Sequence, residues 1–262
     1  MGTPVRDPHV QTMHYEVSSG TGISYVKPGA VSFSTQLGQF DLADGKLVIA
    51  PTEHFSNANE ACSALDPFLR AWEIETDLNS TIGTIRFTYS SSEIIDRDPP
   101  PPGSPVTCAL TGVAALTFAG SLATLHITRS EYPPPPKAFS ITPNVQLVYR
   151  RWLGYRAGNE PLLAMAYFVL TMIKSAAGND QKLAARLFAN DLKILKKIGE
   201  LSSTRGDEST ARKAVAGKPF QGLTAIEKQW LEEAIRRVIL RMGEHAFGGP
   251  LIQISLSDLP AL

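Results

Sequence analysis

Along the first half of the chain, apolar residues alternate with polar ones, as a sheet with one buried face requires. Met13-His14-Tyr15-Glu16-Val17 and Ile23-Ser24-Tyr25-Val26 both follow this period of two. Residues 31–40 and 46–50 continue it on either side of Asp44-Gly45, a dipeptide that accepts positive φ and closes hairpins. Between 57 and 77 the period becomes helical: Ala61, Leu65, Phe68, Leu69, Trp72 and Ile74 gather mostly on one side. Pro67 lies inside that stretch and predicts a kink or a restart. Glu73, Glu75 and Asp77 at its end read as a solvated face. The strand pattern returns in Ile82-Gly83-Thr84-Ile85-Arg86-Phe87-Thr88-Tyr89, rich in the β-branched and aromatic residues that pack well on a pleated surface. Proline runs at 99–102 and 133–136 bracket residues 106–127, which read as two strands joined near Gly120-Ser121. Such runs cannot pair within a sheet centre, and since neither has a basic flank beyond Lys137, rigid loops at the sheet edge are preferred over ligands for polyproline-binding grooves.

After Pro143 the helical period takes over. One helix is predicted over 144–156, stopped at Gly158, and a second over 162–173, opened by Pro161 and apolar nearly all round. A third is predicted as a single helix from Asp180 to Leu201, with Leu183, Leu187, Leu195 and Ile198 inward and Lys193, Lys196 and Lys197 outward. Residues 202–217 are polar and read as a loop with one helical turn at 208–213. Thr224-Ala225-Ile226-Glu227 is a capping box: the hydroxyl of the first residue and the carboxylate of the fourth satisfy each other's backbone N–H. The helix it opens carries Ile226, Trp230, Ala234, Val238 and Met242 on one stripe and ends at Gly248-Gly249-Pro250. Glu232 with Arg236 and Glu233 with Arg237 stand at the i,i+4 spacing of supporting ion pairs. The alternating tail Leu251-Ile252-Gln253-Ile254-Ser255-Leu256 reads as a final strand returning to the N-terminal sheet.

The expected fold class is therefore α+β: a β-rich domain over 1–140 with one inserted helix, then a helical bundle over 141–262. With 43% hydrophobic and 19% charged residues in 262, the chain has the composition of a globular protein with a core of its own. Cys62 and Cys108 stand in dissimilar surroundings with no second cysteine at ligand spacing, so two free thiols are expected, with no disulfide, no metal site and no cofactor. The polar start lacks the apolar segment of a secretory signal, and the apolar run 161–173 is short of the ~20 residues of a membrane helix. The cytoplasm is the expected location, without membrane attachment. The net charge of zero hides two halves of opposite sign: 8 basic against 14 acidic residues over 1–149, and 17 against 10 over 150–245. Either the halves attract each other or the second half presents a basic face to a partner.

No nucleophile elbow, phosphate-binding loop, dinucleotide fingerprint or zinc-protease motif occurs, and the histidines at 9, 14, 54, 126 and 245 are scattered. The positive chemical signal is basic. Lys193, Lys196, Lys197, Arg205, Arg212 and Lys213 lie on or just after one helix and could converge on a phosphate backbone, but no aromatic residues interleave them and an ordinary solvated face is the preferred reading.

Gly199-Glu200-Leu201-Ser202-Ser203-Thr204-Arg205-Gly206-Asp207, set between long helices and followed by Ala211-Arg212-Lys213, resembles HEPN-like helical bundles over about 145–245. The β-rich half before it is similar to the sensor regions that bacterial defence proteins attach to such bundles. Catalytic members carry an Arg, four to six residues, then a His. Here Arg241 and His245 have three residues between them and Arg237 and His245 have seven, so neither pair fits. The resemblance thus implies a member without the usual RNA-cutting site. The leading expectation is a non-catalytic binding or sensing protein whose helical half contacts RNA or a protein partner. Alternatives are a degenerate ribonuclease using Arg241 and His245, and a structural homo-oligomer joined through the apolar helix 161–173 or a sheet edge.

Overall fold

A computed structural model describes residues 6–19, 23–79, 85–98, 127–206 and 221–262. The chain divides after Pro136 into two compact units. Unit 1 holds the strands β1 (Pro8–Ser18), β2 (Ile23–Gly29), β3 (Val31–Thr35), β4 (Gly38–Ala43) and β5 (Lys46–Pro51), the helix α1 (Ala58–Asn79), and the strands β6 (Arg86–Asp96) and β7 (Ile127–Glu131). Five of the strands form an antiparallel sheet in the order β3-β4-β5-β1-β6, and β2 pairs with β7 in a separate parallel pair. The class is α+β.

The β4–β5 hairpin turns at Asp44-Gly45, both with positive φ (49° and 74°), so the strands leave the turn with the twist a hairpin needs. Residues 31–40 are not one strand: the chain reverses between Thr35 and Gly38 to make a second hairpin. Phe40, Leu42, Leu47 and Ile49 point to one side of the sheet, where Ala61, Leu65, Leu69 and Trp72 of α1 cover them. β1 starts five residues earlier than its alternation predicts. Val10 and Met13 are both buried although three positions apart, because the register with β6 slips between Val10 and Thr12. The extra residue, Gln11, resets which face the following side chains take.

Glu73 and Asp77 are not on a solvated face; they are 3% and 4% exposed. The Glu73 carboxylate accepts the Phe87 backbone N–H at 2.7 Å and pairs with Arg70 at 2.6 Å. It thereby fastens α1 to β6 and satisfies a donor on a strand that, among the described residues, has no strand neighbour on that side. Cys62 is a free, half-buried thiol, its ionisation pushed up by burial; Cys108 lies outside the described residues, as does most of the two-strand stretch expected at 106–127.

Unit 2 is a bundle of α2 (Pro143–Arg156), α3 (Leu162–Ala176), α4 (Gln181–Leu187), α5 (Leu192–Thr204) and α6 (Ala225–Phe247). The apolar α3 touches each of the other four. No single helix among the described residues is long and apolar enough to cross a membrane. The capping box forms in both directions: Thr224 Oγ1 accepts the Glu227 N–H at 3.1 Å and Glu227 Oε2 accepts the Thr224 N–H at 2.9 Å. Glu233 takes both Arg236 and Arg237 at 2.6 Å.

Two expectations for this unit are corrected. The single helix from Asp180 to Leu201 is broken into α4 and α5, and the tail forms an isolated bridge within unit 2 in place of a final strand. Both departures have one cause. Ile254 makes an isolated parallel bridge with Asn190: the Asp191 N–H donates to Ile254 O and the Ile254 N–H to Ala189 O, each at 2.8 Å. Ala189 adopts φ 45°, which ends α4, and the Asp191 carboxylate accepts the Lys193 N–H at 2.8 Å, which starts α5.

Candidate nucleic-acid interface

The helix break opens a groove on the surface of unit 2. An open groove of about 780 Å³ runs between α4, the Ala189–Leu192 link and the tail. Lys182 and Arg186 stand on its α4 side, one turn apart, both exposed. Half-buried Leu192 and Leu251 and buried Ala185 give it an apolar floor, and Gln253 contributes an exposed amide. Asn190 also lines it; its Nδ2 donates to Phe188 O at 3.0 Å, while its buried Oδ1 has no partner among the described residues.

The tail wall is held in place by two anchors. One is the Ile254 bridge. The other is Arg241, 8% exposed, whose guanidinium donates to Ile252 O and pairs with Glu244 at 2.8 Å. His245, one turn further along α6, lies edge-on to Phe188 at the end of α4, with ring centroids 4.9 Å apart. Arg241 and His245 thus share one side of α6, and the contacts they make hold the tail and α4.

The basic residues singled out from sequence separate into three groups. Lys193 and Lys196 are exposed on the first turns of α5 and have no ion-pair partner among the described residues; Lys196 follows groove-lining Leu192 at i+4. Lys197 pairs with Glu200 at 2.9 Å. Arg205 turns away to Glu227, donating from Nε at 3.0 Å and Nη2 at 2.7 Å, and its Nη1 donates to Gln221. Arg212 and Lys213 lie outside the described residues. Sequence reasoning missed Lys182 and Arg186, which likewise have no ion-pair partner among the described residues. Their i,i+4 spacing on an exposed helix face was the available signal.

The neighbouring carboxylates are engaged by backbone. Asp180 Oδ1 accepts the N–H groups of Lys182 and Leu183 at 2.7 and 3.1 Å, and these bonds hold its carboxyl below the usual aspartate range, helped by the nearby Arg186 and Lys182 charges. Asp191 caps α5 in the same way. Lys182 and Arg186 on the groove, and Lys193 and Lys196 on α5, are thus left without an ion pair among the described residues.

Unit 1 offers a second cluster. His9 and His54 stack 5.1 Å apart at 9°, their Nδ1 atoms are 3.0 Å apart, and Arg97 approaches the same His54 nitrogen at 3.3 Å. One imidazole must donate and the other accept. Among the described residues, no group of three or more His, Cys, Asp or Glu side chains could hold a metal ion. No family model, curated protein or solved structure matches the chain.

Proposed function

We propose that the helical unit is a non-catalytic RNA-binding module, with the contact face made by α4 and the start of α5. The observation that carries this reading is a set of four exposed cations without ion-pair partners among the described residues: Lys182 and Arg186, which line the groove, and Lys193 and Lys196 on the first turns of α5. Cations already paired gain little from a new anion, whereas free ones release phosphate counterions on binding. Arg241 takes a holding role here, because its two Nη atoms are engaged by Ile252 O and Glu244.

The test is fluorescence anisotropy with single-stranded RNA and DNA at several salt concentrations. A single-strand slope of about −0.7 per phosphate contact gives about −2.8 for four cations, or roughly a 50-fold loss of affinity between 50 and 200 mM salt. Lys193→Ala with Lys196→Ala should halve the slope, as should Lys182→Ala with Arg186→Ala. Lys197→Ala, which removes a cation held by Glu200, should leave it unchanged. Undiminished binding in both double variants would overturn the reading. Binding to an acidic protein but to no nucleic acid would do the same, and would give the face to a protein partner.

A further inference from the structure

The groove has more than charge. Lys182 and Arg186 line it from α4, Ala185, Leu192 and Leu251 add aliphatic surface, and Gln253 adds a side-chain amide from the tail; the Asp191 carboxylate, which also lines it, is engaged in capping α5. A bare phosphate would use the cations and leave the floor wet. A duplex backbone would touch the rim and leave the groove empty. A single nucleotide uses all three, because it joins an anion to a flat, largely apolar body with hydrogen-bonding edges. Its size is suited as well: about 780 Å³ falls within the range of roughly 300–1,000 Å³ for small-molecule sites.

We infer that this groove seats one unstacked nucleotide: phosphate on Lys182 and Arg186, base on Leu192 and Leu251, and base edge toward the Gln253 amide. The inference deepens the RNA-binding reading and rests on it for the physiological source of the nucleotide. The two assignments divide the labour of the face. Lys193 and Lys196 attract the strand whatever its sequence, and the groove takes one of its bases. Among the described residues no aromatic side chain lines the groove, so affinity for an isolated nucleotide comes from phosphate and aliphatic contact together and is lost when either is removed. The walls are built before ligand arrives, because the Ile254 bridge and Arg241 fix the tail against the α4–α5 link.

The experiment uses the full chain and four probes at one ionic strength: adenosine, uridine and cytidine monophosphates, and inorganic phosphate, each measured by titration calorimetry and by competition against labelled RNA. At least one nucleotide should bind about tenfold or more tightly than phosphate, equivalent to about 1.4 kcal/mol. Leu251→Trp, which fills the groove from the tail, and Gln253→Ala, at an exposed position, should each weaken that nucleotide about tenfold toward the affinity of inorganic phosphate. Circular dichroism of both variants checks that they fold, and Gln253→Ala keeps the test decisive should Leu251→Trp unfold the tail. If RNA binds with the expected slope but no nucleotide outcompetes phosphate, the groove assignment is overturned and the RNA-binding reading stands. If nucleotides bind and RNA does not, the groove is upheld and the RNA reading falls.

Discussion

Glu227 should be the residue of the helical unit whose loss is felt in two separable ways. Its Oε2 accepts the Thr224 N–H at 2.9 Å, which completes the cap of α6. Its Oε1 accepts two N–H groups of Arg205, at 3.0 and 2.7 Å, and so ties the end of α5 to the start of α6. Both side chains of this pair are largely shielded, at 12% and 21% exposure, so it is worth more than an open surface pair. Glu227→Ala removes one half of a capping box, about 0.5–1 kcal/mol, and two charge-assisted hydrogen bonds, about 1.5–3 kcal/mol. The expected loss is about 2–4 kcal/mol. Glu227→Gln keeps an oxygen for the cap and loses the charge, so it should cost about 1–2 kcal/mol. Urea unfolding followed at 222 nm reads the difference: with a slope of about 2 kcal/mol per molar, the alanine midpoint should fall by about 1–2 M. The bond from the Thr224 backbone, together with Arg205, holds the Glu227 carboxyl below its ordinary value of 4.5. The folded state therefore binds fewer protons than the unfolded one. The carboxylate's contribution is complete above that ordinary value and is lost as pH falls through the lower, folded one, so the alanine penalty should shrink in acid. Equal midpoints for alanine, glutamine and wild type would refute the reasoning.

Two further outcomes are expected. Gly243→Ala should destabilise by about 1–3 kcal/mol, although alanine is the better helix former, because a Cβ on α6 at that position would overlap the ring of Phe139; a gain in urea midpoint would show that the ring moves aside freely. In unit 1, desolvation, Arg97 and His54 hold the His9 imidazole below its ordinary value of 6.5, against the opposing pull of Asp7. The folded state binds fewer protons there too, so this stability is present above 6.5 and declines as pH drops below it, and His9→Gln should flatten the pH dependence of the urea midpoint between roughly pH 7 and 5. An unchanged dependence would remove His9 as its source.

What was legible in the sequence was local. Alternation located the β4–β5 hairpin and its turn, and helical periodicity located α1, α2, α3 and α6, with the capping box marking where α6 begins. What was hidden depended on a partner distant in the chain. The parity of β1 is set by a bulge against β6, some eighty residues on, so alternation alone began the strand at Met13. Glu73 reads as surface from its neighbours, and only the edge of β6 supplies the N–H that buries it. Residues 180–201 keep an unbroken helical pattern, and only Ile254, about sixty residues later, pairs with Asn190 and breaks it.

That break decides what the basic residues can do. At about 100° per residue, Lys182, Arg186, Lys193 and Lys196 would fall within about 80° of arc on one continuous helix, in a row about 21 Å long. The phase of Lys182 and Arg186 was therefore readable in the sequence, and a straight row of four cations would suit a duplex backbone and little else. With the helix broken at Ala189–Asp191, the row becomes two pairs on separate elements, and the break admits the tail, which brings Leu251 and Gln253 beside Lys182 and Arg186. Charge that would have served any polyanion gains an apolar floor and an amide next to it. The residues that bring this about, Asn190, Ile254 and Arg241, carry no signal for ligand chemistry; their contribution is to hold the tail where the charges already are.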